Sequence, residues 1–333
     1  MKIAVVILNW NGEVLLERYL PSVMKYSKDA DIYLADNAST DGSIAFVKKN
    51  HPSIKIIENE QNGGFAKGYN DALKHVEADI YCLLNSDVKV TENWLTPIKE
   101  TFAENSTISI VQPKILDLLR KDHFEYAGAA GGFIDELGYP FCRGRIFQEL
   151  EKDSGQYDDI REIFWATGAC MFIKSEVYWN LNGFDEDYFA HQEEIDLCWR
   201  AKNAGHKVYY VGLSKVYHLG GSTLSNMNPK KTYLNFRNSL FSITKNLPRR
   251  KAFLIIFLRL VLDGIAGIRF IFQFRAKHCF AIIKAHLNFY AQFGKMYKKR
   301  EKSNFIKKYG LIKSIVWSHY VDGIKNFNIL VKD

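Results

Sequence analysis

The sequence predicts an α/β protein: a mixed, mainly parallel sheet flanked by helices over residues 1–227, then a basic helical region over 228–333. Three observations carry this expectation. Short apolar runs alternate with segments of helical spacing, the pattern of βαβ units. Each early run stops at a polar loop rich in carbonyl and carboxylate side chains, as strands do at the ligand edge of an open α/β sheet. The charge also divides along the chain. Residues 1–228 carry 23 Lys+Arg against 33 Asp+Glu, whereas 229–333 carry 22 against 4.

Ile3–Leu8 reads as the first buried strand and ends at Asn9-Trp10-Asn11-Gly12; Val14–Met24 follows, with Leu15, Leu16, Tyr19, Leu20 and Val23 at helical spacing. Asp31–Ala35 is the second strand, and Asp36 to Gly42 leads to a helix over Ser43–Lys49 that Thr40 or Asp41 is placed to cap. Ile54–Ile57 is the third, followed by Asn59–Gly64 and a helix from about Phe65 to His75. Tyr81–Leu84 is the fourth and stops at Asn85-Ser86-Asp87; Ile108–Gln112 is a further strand. Leu116 to about Ile160 is less regular, with Gly128, Gly131, Gly132, Gly138 and Gly144, and reads as loops and hairpins around an acceptor site. Glu162–Phe172 and Lys207–Val211 read as strands separated by a helix over Glu193–Asn203.

Composition excludes several classes. Hydrophobic residues at 47% and charged residues at 25% are those of a folded globular chain. Cys82, Cys142, Cys170, Cys198 and Cys279 are scattered and lack CxxC spacing, so neither a zinc site nor a disulfide framework is expected, and a reducing compartment is. The apolar run at Ile3 is too short for a signal peptide core, which points to cytoplasmic residence. Ala252–Phe274 is the most apolar segment, but Arg259, Asp263, Arg269 and Gln273 interrupt it, and Arg259, Asp263 and Gln273 share one narrow helical stripe. A membrane-spanning helix would be freer of charge. With basic flanks such as Lys298-Lys299-Arg300, the region is expected to lie on an anionic membrane surface as a peripheral attachment; packing on the sheet or on another subunit is the competing reading. Oligomeric state is not legible. Aromatic residues here sit in apolar runs rather than singly between Lys and Arg, which argues against nucleic acid.

Residues suited to one chemistry occur in order at the loops. Alternate residues of an extended segment point the same way, so Asn85 and Asp87 would both face one divalent cation bound to a diphosphate. Asp36 is placed to accept from a base N–H or a ribose hydroxyl. Asn62-Gly63-Gly64 lets backbone approach a ligand closely. Glu193, Glu194 and Asp196 crowd a helix N-terminus, where crowding raises one carboxyl toward neutrality and makes it usable as a base. His218, after a strand, would complete the coordination or hold a phosphate. Together these suit sugar transfer from a nucleotide-diphosphate donor.

The ordered set Asn9-Trp10-Asn11-Gly12, Asp36 to Gly42, Asn62-Gly63-Gly64-Phe65-Ala66, Asn85-Ser86-Asp87, Thr167-Gly168-Ala169, Gly183-Phe184-Asp185-Glu186 and Glu193 to Leu197 resembles family 2 glycosyltransferases, over roughly residues 1–225. It is most similar to their bacterial rhamnosyltransferase-like branch. The resemblance implies a GT-A fold, with a nucleotide-sugar-binding half over 1–112 and an acceptor and catalytic half over 113–227. It further implies a nucleotide sugar donor, a divalent metal (Mg²⁺ or Mn²⁺) and inversion at the anomeric carbon. It places Asn9, Trp10, Asp36, Asn62, Gly64 and Asn85 at the donor, and Gly168 and Asp196 at the acceptor. Asp87 matches the last aspartate of the DxD metal motif, Asn85 replaces its first, and His218 is the third metal candidate. Glu194 matches the base, with Glu193 its rival. UDP and dTDP both suit Asp36. The Gln-x-x-Arg-Trp motif of processive synthases is missing, so one sugar is expected to be added, to a saccharide or lipid-linked cell-envelope or polysaccharide precursor at the inner face of the cytoplasmic membrane. Two rival functions stand beside this: a sugar-nucleotide nucleotidyltransferase, for which the basic N-terminal phosphate loop is missing, and a non-catalytic scaffold.

Overall fold

A computed structural model describes residues 1–220, 228–300 and 305–331. Alternating β and α elements open the chain: β1 (Ile3–Asn9), α1 (Glu13–Tyr26), β2 (Asp31–Asp36), α2 (Ser43–Asn50), β3 (Lys55–Glu58), α3 (Gly64–Leu73), β4 (Ile80–Asn85), β5 (Val88–Val90), α4 (Thr96–Glu104) and β6 (Ile108–Asp117). Four short strands follow, β7 (Gly132–Ile134), β8 (Pro140–Cys142), β9 (Arg145–Ile146) and β10 (Glu149–Leu150), then β11 (Ile160–Ile163), β12 (Cys170–Lys174), α5 (Ser175–Asn180), α6 (Glu193–Asn203) and β13 (Lys207–His218). The helical region holds α7 (Pro229–Asn246), α8 (Arg249–Phe272), α9 (Ala276–Lys298), α10 (Ile315–Tyr320) and α11 (Phe327–Leu330).

The main sheet runs β11-β13-β6-β12-β4-β1-β2-β3, with β5 against β13. Pairs among β3, β2, β1 and β4 are parallel, as is β13 with β6; β12 is antiparallel to both its neighbours. The α/β class with a mainly parallel sheet and flanking helices is as expected. Alternation along β1 explains why it is apolar throughout: Ala4 and Val6 enter one core cluster, and Ile3, Val5 and Ile7 enter the other. The irregular stretch holds the expected hairpins as an antiparallel four-stranded sheet.

Two expectations need correction. Glu162–Phe172 is not one strand but the end of β11, a turn through Trp165–Ala169 and the start of β12. Trp165 breaks it: its ring takes the space a Cβ on Gly132 would need, and its Nε1 donates to the Phe133 carbonyl at 2.9 Å, so the chain leaves the sheet there to close on β7. The strand expected at Lys207–Val211 continues to His218 through a register irregularity between Val211 and Lys215. The boundary expected after residue 227 abuts residues 221–227, outside the described residues.

The helical region shares the sheet's core: one cluster joins Tyr188 and Leu197 to Leu240 and Phe241 on α7 and Phe289 on α9. α8 turns its charges inward. Buried Asp263 accepts from Arg259 Nε at 3.2 Å and the Tyr139 hydroxyl at 2.8 Å and pairs with His286 at 3.0 Å, while Gln273 of the same stripe is exposed. Many of its apolar residues face out, with Phe257 63% exposed, as does Leu287 on α9 at 67%, while Ala252, Ile255 and Ile256 are buried. Among the described residues no helix is long and apolar enough to cross a membrane.

Candidate active site

Strand register assembles the first part of the site. Asn9 lies opposite Asp36 and Leu8 opposite Asn85, so three polar residues end three adjacent strands at the carboxyl edge of the sheet. Two strand intervals separate β2 from β4, on the order of 10 Å. Asn9 Nδ2 donates to Asp36 Oδ1 at 3.0 Å, the Ser39 N–H donates to Asp36 Oδ2 at 2.8 Å, and Asn9 Oδ1 is buried without a partner among the described residues. Trp10 stands beside them, 50% exposed. Asn62 Oδ1 accepts from Asn37 Nδ2 at 2.9 Å and from the Gly64 N–H at 3.0 Å, tying the β2 and β3 loops together. Gly64, expected to admit a ligand, instead admits the chain. At φ +78° a Cβ there would lie 2.5 Å from the Phe189 carbonyl oxygen, which accepts from the Phe65 N–H at 2.8 Å.

β5 brings the second part together. Its register sets Val88 opposite His218, which carries the His218 ring to Asp87: Nε2 lies 3.1 Å from Asp87 Oδ1 and Nδ1 3.3 Å from Glu125 Oε2, all three buried. Burial opposes charging the ring, but the two carboxylates outweigh it and raise His218 to about 10. The cluster thus draws positive charge between Asp87 and Glu125. Among the described residues no three His, Cys, Asp or Glu side chains converge to hold an ion by themselves. With its proton displaced, the His218 imidazole at the end of β13 and the Asp87 carboxylate after β4 are donors that suit a hard or borderline divalent ion completed by phosphate oxygens. Glu125 was missed in the sequence; only the run of small residues after Tyr126 sets it apart.

The third part is the loop before α6. Phe189, His191 and Gln192 have φ of 66°, 68° and 75°, the left-handed region non-glycine residues avoid. α7 holds this strain. Arg237 Nη2 donates to the Asp187 and Tyr188 carbonyls at 3.0 and 3.1 Å; Asn238 Nδ2 reaches those of Tyr188, Ala190 and His191 at 3.1, 3.0 and 2.7 Å. The loop delivers Glu193 and Glu194 to the first turn of α6. Glu193 is 4% exposed, and burial, then the charge of Glu194, pushes it well above the carboxylate range. Glu194 keeps partial exposure, and burial pushes it up to about 7, with nearby backbone N–H groups pulling it back in part. The geometry therefore favours Glu194 over Glu193 as the group that meets a reactant.

Two expected acceptor residues are engaged by the protein. Asp196 is fully buried and accepts from Arg200 Nε, Lys245 Nζ and Asn246 Nδ2, each at 2.8 Å, and from the Tyr188 hydroxyl at 3.2 Å. It anchors α7 to α6, and no lone pair is left for an acceptor. At Gly168 a Cβ would lie 2.8 Å from the Phe65 ring, so the glycine lets the turn before β12 close on α3. Asn70, which the sequence did not mark, joins α3 to the catalytic side: Nδ2 donates to the Phe184 carbonyl at 2.9 Å, and Oδ1 accepts from the Tyr178 hydroxyl at 2.6 Å.

A mainly parallel α/β sheet with polar residues at its carboxyl edge and flanking helices matches the GT-A fold of glycosyltransferases. The sequence model of glycosyl transferase family 2 matches residues 4–179, and the chain belongs to that family. Among curated proteins it is similar to N-acetylglucosaminyl-diphospho-decaprenol L-rhamnosyltransferase of Mycobacterium tuberculosis, 25% identical over 222 residues, covering 61% of this chain and 71% of the relative. Among solved structures it resembles residues 1–349 of S. aureus TarS in complex with UDP-GlcNAc, with TM-score 0.58, 15% identity, and 90% and 84% of the two chains covered. It also resembles GalNAc-T7 with UDP, GalNAc and Mn²⁺, with TM-score 0.57 and 17% identity; 75% of this chain is covered, and it spans 49% of that one. These likenesses establish the fold.

Proposed function

We propose that this family 2 glycosyltransferase inverts the anomeric carbon while moving one sugar from a nucleotide-diphosphate donor, UDP- or dTDP-linked, to a hydroxyl of a saccharide or lipid-linked envelope or polysaccharide precursor. One observation carries the reading: Asn9, Asp36 and Asn85 end adjacent strands, with the Asp87–His218 pair beyond them and a strained loop presenting Glu194. Asp36, with its spare acceptor capacity, and Asn9, through its unpartnered Oδ1, hold the nucleoside against Trp10. A diphosphate spans the interval to Asn85 and Asp87.

Asp87 and His218, with Asn85 beside them, would hold Mg²⁺ or Mn²⁺, which when bound neutralises charge on the departing diphosphate. Glu194 accepts the proton of the incoming hydroxyl. As the oxygen bonds to C1, the bond from C1 to the diphosphate oxygen breaks on the opposite face, and the nucleoside diphosphate leaves with the electron pair. General-base assistance of this kind is worth about 10²–10⁴-fold. A pKa of about 7 leaves Glu194 about half ionised at neutral pH and basic enough to take a proton. The two regions expected from the sequence then divide the work: residues 1–227 carry the transfer, and the helical region attaches the protein to a membrane. α8 supports the attachment, because it buries its ion pair and exposes many of its apolar side chains beside Arg249, Arg250 and Lys251. On this reading transfer occurs at the inner face of the cytoplasmic membrane.

The test is a screen of UDP- and dTDP-sugars for Mg²⁺- or Mn²⁺-dependent thermal stabilisation and release of nucleoside diphosphate, repeated with Glu194→Gln. Donor stabilisation retained with turnover lost supports the reading. Full turnover by Glu194→Gln overturns the base assignment, and no response to any nucleotide sugar overturns the donor class.

A further inference from the structure

The buried arginines of this chain mostly face a carboxylate of their own. Arg143 meets Asp159 with two bonds at 2.9 and 2.7 Å, Arg200 meets Asp196 at 2.8 Å, and Arg259 meets Asp263 at 3.2 Å. Arg145 on β9 differs. Its Nη1 donates to the Phe147 carbonyl at 2.9 Å, its Nη2 reaches Cys142 Sγ at 3.5 Å, and its Nε is buried with no hydrogen-bond partner among the described residues. The carboxylate that acts on it, Glu125, is committed to His218 Nδ1 at 3.3 Å and to the Ala127 N–H at 2.5 Å. A guanidinium taken out of water without a paired anion is costly, and its planar fork suits phosphate oxygens.

More positive charge converges on the same place. The Arg145 guanidinium lies 4.2 Å from the Tyr126 ring centre, and Lys231 Nζ lies 5.8 Å from that same centre. Lys231 is in the first turn of α7, an 18-residue helix whose positive end opens here, with Asn228 capping the Lys230 N–H at 2.9 Å. Burial and then Arg145 push Lys231 down against the pull of Glu125; burial, with the charge of Lys231 adding to it, lowers His191 in the loop before α6. Glu125 pairs with His218, and its charge also acts on Lys231 and Arg145.

We propose that Arg145 and Lys231, over Tyr126 and at the mouth of α7, form a second anion subsite that takes a phosphate or diphosphate group carried by the acceptor. For the source of that anion the inference rests on the glycosyl-transfer reading. On that reading the donor diphosphate belongs at Asn85 and Asp87, where Glu125 is engaged through His218, whereas Arg145 and Lys231 gather at Tyr126. An acceptor whose phosphate sits here would be held by its charged end while its hydroxyl reaches Glu194.

The experiment uses the full chain with Mg²⁺ and whichever of UDP or dTDP stabilises it at saturation, titrated calorimetrically with inorganic pyrophosphate as its magnesium salt. Pyrophosphate is expected to bind alongside the nucleotide. Its affinity should fall at least tenfold in Arg145→Gln and in Lys231→Gln, and less in Arg145→Lys, with nucleotide affinity unchanged within twofold. If pyrophosphate is excluded by the nucleotide and Arg145→Gln weakens the nucleotide itself, the subsite belongs to the donor and the acceptor assignment is overturned. Equal pyrophosphate binding by wild type and all variants, or none at millimolar concentration, overturns the subsite. Should Arg145→Gln fail to fold by circular dichroism, Lys231→Gln and Arg145→Lys decide it. Failure of the wild type to bind either nucleotide counts against the donor reading instead.

Discussion

Replacing Asn238 by Ala should slow the reaction without loosening the donor. Asn238 is fully buried on α7, and its two amide hydrogens serve the carbonyls of Tyr188, Ala190 and His191 at 2.7–3.1 Å. Those carbonyls bracket Phe189 and His191, whose left-handed backbone each costs about 1–3 kcal/mol. A buried carbonyl left unpaired costs about 1–3 kcal/mol more. Loss of the amide therefore removes roughly two hydrogen bonds from a segment already inclined to relax. A shift of about 2 kcal/mol toward a relaxed loop leaves the productive arrangement about 30-fold rarer. Initial rates of nucleoside diphosphate release, measured well below the melting temperature, should show kcat down about 10- to 100-fold. The donor KM should stay within about threefold, because Asn9, Asp36 and Asn85 end strands remote from α7. A kcat within twofold of wild type, despite a lowered melting temperature, would refute the bracing argument. So would a rise in donor KM that accounts for the whole loss.

Glu194 at about 7 makes the pH dependence signed. Below that value it is protonated and cannot take a proton, so kcat/KM should fall tenfold per pH unit, and Glu194→Gln should abolish this limb in a pH–rate profile. Because its pKa is raised by folding, ionising it costs stability as pH rises from about 4.5 to 7; a urea titration should show Glu194→Gln losing less stability over that window. Asp87→Asn, or chelation by EDTA, should lower turnover at least about 100-fold, and excess Mn²⁺ should restore the chelated wild type but not the variant. Phe257→Glu with Leu287→Glu puts two charges on the outward face, where half-covering each apolar side chain contributes about 1 kcal/mol. Co-sedimentation with anionic vesicles should fall at least tenfold, with turnover of a water-soluble acceptor unchanged; undiminished sedimentation would refute attachment through this face.

The legible parts of the site were those that local chain logic dictates. Asn9, Asp36, Asn85 and Asp87 stand where apolar runs stop, and a parallel sheet brings such stops to one edge. Glu193 and Glu194 were legible because carboxylates crowd one helix start. What escaped depends on contacts between distant segments. Glu125 belongs to the site only because β5 pairs with β13 and turns His218 toward it. Asp196 has the look of a reactive carboxylate beside Glu194, yet helical rotation sends it inward to Lys245 and Asn246. Arg259 and Asp263 looked like interruptions of an apolar face; they lie on the buried face with Ile255 and Ile256, while Phe257, Val261 and Ile265 are on the surface. Trp165 ended a strand through a partner 33 positions away, Gly132, invisible to any local window.

α7 has a consequence for how such proteins diversify. One of its faces is the wall against which α8 and α9 pack, and another holds the carbonyls of the loop before Glu194. The helical region is therefore not a detachable module that recombination could exchange for another while leaving the loop untouched. A chain cut before Pro229 forfeits the scaffold of the loop before Glu194, and a transplanted tail would have to bring an amide and a guanidinium at matching positions. Sheet domain and helical region are bound to drift together.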